Sequence, residues 1–413
     1  MYSEQSRILV ENAEKKCVEP FALIENIAFL NQAKVLKAFK KNKVSERHFI
    51  GTTGYGYGDA GRDMLCKLFA DVFGAENAIV TPHISCASHA LAMALFGILR
   101  PNDIMLSITG KPYDTLDEVI FGDPAHKDTG SLKDLGVKYE QIDLLNNKPN
   151  TDIITKKVRE LQPKLVFMQR SRGYAWRKAL SIDQIGELVN IIRKESPQSF
   201  IMVDNCYGEF TETREPTDVG ADIVVGSLIK NAGGGLAPAG AYIVGCKSAI
   251  NLITCKLTSP ALMQAVGSYE AGYRLFFQGL FMAPHTVSQA LKGSSLIRTT
   301  MNELGYDVSP TPKELSGDIV SLIKFNNEKE LIAFCQAVQS ASPIDSYATP
   351  IPWDMPGYAD KVIMAGGSFV QGATIELSCD SPIRPPYIAY LQGGLTYEHI
   401  KIATMMILSN LQK

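Results

Sequence analysis

The stretch Gly226-Ser227-Leu228-Ile229-Lys230-Asn231-Ala232-Gly233-Gly234-Gly235 places one lysine between an apolar run and three consecutive glycines. Lys230 lies 26 positions after Asp204, which ends a second apolar run, Ile201-Met202-Val203. A lysine amine is protonated in water, and burial with cationic neighbours lowers its pKa enough for it to attack an aldehyde. Enzymes that use pyridoxal phosphate combine such a lysine with an aspartate that pairs with the pyridine nitrogen. The pattern therefore predicts a Lys230–Asp204 pair of this type, and the alternative is a solvated lysine at a turn.

The composition is that of a folded globular protein. The chain has 413 residues, of which 46% are hydrophobic and 20% charged, enough for two or three domains. The net charge of -2 indicates no basic face for nucleic acid. The eight cysteines form no CxxC pair, which argues against a metal site or a disulfide framework. Neither a signal pattern nor a long apolar run is evident, so we expect a cytoplasmic protein with no membrane partner.

The order of helical and strand-like patterns predicts an α/β fold with a mostly parallel sheet. Apolar runs typical of strands occur at 77–81, 103–107, 164–168, 200–204, 222–225 and 241–245. Helical patterns occur between them at 60–74, 88–99, 152–161 and 182–195, and a further helical region with a long connecting helix covers 261–305. Beyond it, strands are expected at 318–324 and 371–378, and helices at 328–339 and 397–411. We predict an N-terminal helical arm (1–50), a large α/β domain that binds the cofactor (51–285) and a small C-terminal α+β domain (286–413).

Three positions are candidates for holding the cofactor beside the lysine and aspartate. The segment 79–95 turns from a strand through small polar residues into an alanine-rich helix, whose free N–H groups attract an anion. We assign the cofactor phosphate to Ser88 and to the amides of Ser88 and His89, and Ser227 can reach the same phosphate. Tyr113 follows a strand and can stack on a pyridine ring. The alternatives are an ordinary serine cap, a structural histidine and a tyrosine that closes a core edge.

Arginines and tyrosines in loops are further candidates for binding anions. Tyr55, Tyr57 and Arg62 belong to a glycine-rich loop, where a phenol and a guanidinium suit a phosphate, or where they simply lie on the surface. Arginine grips a carboxylate with two parallel hydrogen bonds. The candidates for a substrate carboxylate are Arg384 first, with Arg172 and Arg177 left open. A solvated loop arginine is the competing interpretation.

With these residues in place, the chain resembles the methionine γ-lyase-like or aluminium-resistance proteins, which are related to cystathionine lyases. The motifs that carry the resemblance, over about residues 47 to 410, are GTTGYGYGDAGRD, SCASHALAMALFGILRPND, KPYDTLDEVI, QRSRGYAWRKAL, VDNCYGEF, GSLIKNAGGGLAPAGAYIVG and PWDMPGYADKVIMAGGSFVQGATIELSCDSPIRPPY. The resemblance implies the type I fold of pyridoxal phosphate enzymes, which is aspartate-aminotransferase-like with a large sheet of the seven-stranded type. The chain departs from the pattern at Ala87, where glycine is expected, and at Lys178, where the family tends to have proline.

The same resemblance implies roles for the candidate residues. Lys230 would form the Schiff base, Asp204 would pair with the ring nitrogen, and Tyr113 would stack on the ring. Ser88 and Ser227 would hold the phosphate, helped by Tyr57 and Arg62 of the neighbouring subunit, and Tyr55 is a candidate substrate contact. A homodimer or homotetramer with active sites at the dimer interface is therefore expected.

The expected activity is that of a carbon–sulfur lyase. The substrate would be a sulfur-containing amino acid, such as cystathionine, cysteine or a methionine-like compound, cleaved by α,β- or α,γ-elimination. In this scheme Lys230 removes the Cα proton and Tyr113 is an acid for the leaving thiolate. The alternatives are another pyridoxal phosphate reaction, such as transamination, racemisation or aldol cleavage, and a cofactor-binding protein without catalysis that is linked to aluminium resistance.

Overall fold

The computed structural model describes residues 1–123, 125–126, 128–355 and 360–411. Residues 356–359, which belong to the last motif quoted above, lie outside the described residues. So do residues 412–413 at the end of the predicted C-terminal domain.

The helices and strands follow one another along the chain as the alternating pattern predicts. The α-helices are α1 (Glu4–Glu14), α2 (Val18–Lys41), α3 (Ala60–Val72), α4 (Ala87–Ile98), α5 (Asp117–Phe121), α6 (Thr151–Leu161), α7 (Ile182–Glu195), α8 (Lys247–Thr254), α9 (Arg274–Glu303), α10 (Glu328–Ser340) and α11 (Tyr397–Leu411). The strands are β1 (Asn77–Thr81), β2 (Ile104–Ser107), β3 (Lys138–Gln141), β4 (Leu165–Gln169), β5 (Phe200–Asp204), β6 (Ile223–Ser227), β7 (Ala241–Gly245), β8 (Asp307–Ser309), β9 (Val320–Lys324), β10 (Val362–Ala365), β11 (Ser378–Pro382) and β12 (Ile388–Gln392).

A seven-stranded sheet in the order β1-β7-β6-β5-β4-β2-β3 forms the centre of the large α/β unit. Its strands pair in parallel except β7, which is antiparallel to both neighbours. Two hydrophobic clusters cover its faces, which is why its central strands read as continuous apolar runs. The predicted α/β class and mostly parallel sheet are confirmed. The edge strand β3 was not predicted, because its residues 138–141 are only partly buried and polar.

The second sheet is antiparallel, in the order β10-β11-β12-β9-β8, and packs against α10 and α11. Helix α1 also belongs to this unit, since its residues Val10 and Ala13 lie in the hydrophobic core of the unit, with Cys17 just beyond the helix. The strand predicted at 371–378 is wrong, because β11 begins only at Ser378. The preceding segment is a loop in which the Glu376 carboxylate accepts hydrogen bonds from the amides of Phe369 and Val370. A side chain that bonds to local amides competes with a strand ladder.

The predicted helix is also wrong over 261–273, whereas the long connecting helix is confirmed as α9. The segment before α9 bonds to the glycine-rich loop instead. The Gly267 amide donates to the Tyr55 carbonyl at 3.0 Å, and the Thr52 amide donates to the Tyr269 carbonyl at 3.3 Å. These bonds join residues far apart in sequence, so local helical spacing did not indicate them.

Helix α9 packs against α2, against the small sheet and against the turn that follows Lys230. A Cβ atom on Gly279 would lie 2.3 Å from the Gly233 carbonyl oxygen, so the two backbones touch at a point where only glycine fits. Helix α9 runs from Arg274 to Glu303, so the domain boundary predicted at 285–286 falls inside one continuous helix that contacts both units. The boundary stays a prediction. Within the described part of the chain, no helix has the length and apolarity needed to cross a bilayer.

Candidate active site

Three adjacent strands of the large sheet end at the same edge and bring their last residues to one cavity. Gln169 ends β4 and pairs in register with Asp204, which ends β5, while Lys230 follows the end of β6. Ligands bind at the carboxyl ends of the strands in sheets of this kind. The cavity is lined by Ala87, Ser88, Leu91, Tyr113, Thr115, Gln169, Ser171, Gly173, Tyr174, Asp204, Cys206, Tyr207, Lys230, Val320, Asp380, Tyr390 and Gln392. The sequence predictions for Lys230, Asp204, Tyr113 and Ser88 thus converge on a single cavity.

Lys230 extends into this cavity with its Nζ 4.0 Å from the centroid of the Tyr207 ring. Burial alone would lower the pKa of Lys230, but Cys206, Tyr207 and Asp204 together raise it above the ordinary lysine value. The expectation of a lowered pKa is therefore wrong for the chain by itself. Its neighbours are acidic groups instead of the cations that would favour the free amine.

Asp204 lies at the floor of the cavity. Its Oδ1 accepts a hydrogen bond from the Cys206 amide at 3.1 Å. Burial raises the pKa of the Asp204 carboxyl, and the charge of Lys230 opposes that rise. The carboxylate is thus held on a rigid strand end, where a cationic ring nitrogen would stabilise its charge.

One end of the cavity is built from the start of α4. Ala87 and Ser88 lie in its first turn, and the Ser88 Oγ is 2.7 Å from the Thr115 Oγ1. Free amides and two hydroxyls suit the oxygen atoms of a phosphate. Because Ala87 is the first helical residue of α4, its Cβ fits the backbone at this position, where the resemblance led us to expect glycine.

Two predicted phosphate contacts lie elsewhere. The His89 Nδ1 accepts from the Ser85 amide at 3.2 Å, and the ring lines a separate groove with Phe96. The His89 amide donates to the Cys86 Sγ at 3.5 Å. Ser227 is buried beside the cavity, where its hydroxyl accepts from the Ile229 amide at 3.3 Å. Neither side chain is part of the cavity wall, and the predicted roles of the His89 amide and of Ser227 at the phosphate stay predictions.

Tyr113 is part of an aromatic wall. Its ring centroid lies 5.9 Å from that of Tyr174, which in turn lies 5.0 Å from that of Tyr390. Such rings present flat apolar faces to a planar ligand. This placement suits the predicted stacking of Tyr113 on a pyridine ring.

The three arginines proposed for a substrate carboxylate differ in their surroundings, and none lines the cavity. The Arg172 guanidinium makes two parallel hydrogen bonds to the buried Asp318, at 3.1 and 3.0 Å. Arg177 is buried and donates to backbone carbonyls, including that of Gln169 at 3.1 Å. The substrate role predicted for Arg172 is therefore not supported, because its donors are already committed inside the protein. Arg384 is half-exposed, and its guanidinium donates to Asp360 at 2.8 Å.

The glycine-rich loop carries its aromatic side chains on the surface. Tyr55 and Tyr57 are both exposed, with ring centroids 5.5 Å apart. Arg62 is buried at the start of α3 and donates to the Gly56 carbonyl at 3.2 Å. These residues lie outside the cavity of their own chain. Their roles in the neighbouring subunit's cavity stay a prediction.

Several residues of the cavity wall were not among the predicted site residues, for example Gln169, Cys206, Tyr207, Asp380 and Gln392. Cys206 and Tyr207 follow Asp204 directly, and Gln169 ends the strand before the arginine segment, so their nearness to the site could have been found. Asp380 and Gln392 come from the small sheet. Their approach to Lys230 depends on how the two sheets pack, which local spacing does not encode.

Two crystal structures of known proteins resemble this chain over nearly its whole length. A crystal structure from Clostridium acetobutylicum, of a candidate cystathionine beta-lyase involved in aluminum resistance, is 46% identical with a TM-score of 0.96 and covers 99% of this chain and 96% of its own. A carbon-sulfur lyase involved in aluminum resistance from Clostridium novyi NT is 46% identical with a TM-score of 0.94, with the same two coverages.

A more distant structure bears on the fold alone. The pyridoxal-5'-phosphate dependent protein YhfS of Escherichia coli is 14% identical, with a TM-score of 0.61 over 94% of this chain and 96% of its own. The predicted type I fold is thereby confirmed. The model of the methionine gamma-lyase family matches residues 6–412, and the chain, with its lysine and aspartate at adjacent strand ends, belongs to that family.

Proposed function

We propose that this chain is a pyridoxal phosphate-dependent carbon–sulfur lyase that acts on a sulfur-containing amino acid. The observation that carries the proposal is the convergence of Lys230, Asp204, Tyr113 and the start of α4 on one cavity. Membership of the methionine gamma-lyase family and the names of the related crystal structures support it.

The residues present fit the cofactor. Ser88, Thr115 and the first turn of α4 would hold the phosphate, Asp204 would face the ring nitrogen, and Tyr113 would cover the ring. Gln169 adds an observation from this chain: its Nε2 donates to the Ser171 carbonyl at 3.2 Å, whereas its buried Oε1 has no hydrogen-bond partner among the described residues. Buried polar atoms are usually paired, so this acceptor on the cavity wall is available to a ligand.

When bound, the cofactor supplies an electron sink for the substrate Cα. The chain's own residues would then move protons. Lys230, as the free amine, would take the Cα proton, and the Tyr113 hydroxyl would donate to the leaving sulfur. Elimination at Cβ or at Cγ is compatible with this set of residues.

The remaining contacts belong to the same proposal. Arg384 is the candidate for the substrate carboxylate, since its guanidinium is half-exposed and its charge acts on Tyr390 of the cavity wall. Tyr57 and Arg62, with Tyr55 beside the substrate, would act in the cavity of a second subunit, in a homodimer or homotetramer. We place the enzyme in the cytoplasm.

The direct test is release of 2-oxo acid and thiol from cystathionine, cysteine, homocysteine and methionine by the purified protein loaded with pyridoxal phosphate. Pyruvate with thiol would indicate cleavage at Cβ, and 2-oxobutyrate with thiol would indicate cleavage at Cγ. The exposed Lys329→Ala variant is the matched control for Lys230→Ala. A 2-oxo acid without thiol would replace the proposal with transamination, and no product from any compound would overturn it.

A further inference from the structure

One acidic side chain of the cavity has no part in the scheme above. Asp380 lies on β11, directly opposite Tyr390 of β12, and both face the cavity. The Gln392 Nε2 donates to the Asp380 Oδ2 at 3.1 Å. The small sheet thus presents a carboxylate to the side of the cavity that faces Lys230.

The positive charge of Lys230 offsets the negative charge of Asp380. In the proposed chemistry Lys230 must lose that charge, because it acts as a free amine. Burial raises the pKa of the Asp380 carboxyl to about 6, and Gln392 and the charge of Lys230 oppose that rise. At neutral pH the group is therefore mainly ionised. When Lys230 becomes a free amine, its opposition to this rise is lost, so Asp380 stays ionised in the cavity only if another cation takes the place of the lysine.

Aromatic residues line the same cavity as this carboxylate. Tyr174 and Tyr207 pack against the same face of the small sheet as Tyr390, beside Val320. Lys230 shows that this wall accepts an ammonium, since its Nζ lies over the Tyr207 ring. A carboxylate among aromatic faces binds an organic ammonium by charge pairing and by cation–π attraction. A neutral thioether side chain has no charge that could pair with the carboxylate.

We infer that Asp380 is the residue that selects substrates by pairing with an ammonium group at the far end of their side chain. This inference rests on the proposed function and narrows its substrate class. Sulfur amino acids with a second amino group are preferred over those with a neutral side chain. Asp380 is a specificity residue here, and proton transfer at Cα does not involve it.

The test uses two probes of nearly equal shape, S-aminopropyl-L-cysteine and S-butyl-L-cysteine, with the homocysteine analogues of both. The first ends in an ammonium and the second in a methyl group. Thiol release measures kcat/KM for the enzyme loaded with cofactor. We expect the wild type to prefer the ammonium probe by about tenfold or more, the ratio that one charge-assisted contact supplies. Asp380→Asn should reduce this preference at least tenfold.

Two further variants serve as controls for the loss of charge at position 380. Asp380→Glu keeps the charge and should keep part of the preference. Glu160→Gln, which removes an exposed acid from α6, should keep all of it. An unchanged preference in Asp380→Asn would overturn the inference. If that variant does not fold, a wild type without preference for the ammonium probe overturns it equally. Release of thiol from neither probe series would instead count against the proposed function.

Discussion

Asp318 and Asp380 are both largely buried aspartates of the C-terminal unit, yet their environments shift their pKa values in opposite directions. Asp318 accepts two hydrogen bonds from Arg172 and others from the hydroxyls of Ser171 and Ser316. Burial alone would raise the pKa of Asp318, but Arg172 and these hydroxyls hold it below the ordinary value. Asp380 accepts a bond from Gln392, and burial raises its pKa to about 6.

The difference separates structural charges from functional ones. The pair of Arg172 and Asp318 joins the loop after β4 to the segment just before β9, and its hydrogen bonds are made within the protein. The cavity holds polar groups that the protein pairs less completely: burial raises the pKa of Asp380, and the Gln169 Oε1 has no hydrogen-bond partner among the described residues. Incomplete pairing inside a cavity is typical of groups that meet a ligand.

Replacing Lys230 is the strongest test of the difference between the cavity and the buried Arg172–Asp318 pair. Lys230→Ala should lower turnover by at least about 10⁴-fold, as expected when a central catalytic group is lost. Its urea unfolding midpoint should change less than that of an Arg172 variant. Steady-state thiol release and unfolding curves measure the two effects. Turnover near the wild-type level would remove Lys230 from the mechanism.

The converse change is Arg172→Ala, which leaves Asp318 buried without its cation. The unfolding free energy should fall by about 3 to 5 kcal/mol, the usual result of breaking a buried pair. Arg159 is the matched control, because it makes a similar pair with Glu195 at the surface, at 2.7 and 3.1 Å. Arg159→Ala should cost about 1 kcal/mol or less. Equal losses in the two variants would contradict a structural role for the buried pair.

Whereas Arg172→Ala should lower the unfolding free energy, Asp380→Asn should raise it at neutral pH. The folded pKa of about 6 exceeds the value of about 3.9 for an unfolded aspartate. The folded chain holds the proton longer, so stability falls as pH rises from 3.9 to 6. Asp380→Asn should therefore raise the unfolding free energy at pH 7.5 by about 1 to 2 kcal/mol, with little gain at pH 4. Urea unfolding of the cofactor-free protein at both pH values measures this, and a loss of stability at pH 7.5 would refute it.

The smallest effect on stability is expected for Arg384→Ala, since Arg384 and Asp360 form a pair at the surface. The unfolding free energy should change by less than about 1 kcal/mol. If Arg384 binds the substrate carboxylate, KM should nevertheless rise by about tenfold. An unchanged KM would reassign the carboxylate to another group.

Local sequence patterns were sufficient to predict the central strands of the large sheet and part of the candidate site. The central strands were predicted because they are buried on both faces, and Lys230 and Asp204 because they adjoin those strands. The predictions failed where distant contacts decide the outcome. Residues 261–273 bond to the glycine-rich loop instead of forming a helix, and Asp380 reaches the cavity only through the packing of two sheets. Arg172 was a candidate ligand because its segment follows a strand, and its pairing with Asp318, which is far away in sequence, was not evident from the local pattern.

The contact between Gly279 and the Gly233 carbonyl also limits how this chain can evolve. Any side chain at position 279 would push the turn away from α9, and that turn carries Lys230 three residues earlier. A substitution at this helix position, outside the cavity, would thus displace the turn that follows Lys230 and be selected against. The contact at 279 is with a backbone carbonyl, which any residue at 233 would keep, and a Cβ atom at 233 would itself lie 1.7 Å from the Leu228 carbonyl oxygen. Each glycine is therefore required by its own contact, and descendants of this sequence should keep both.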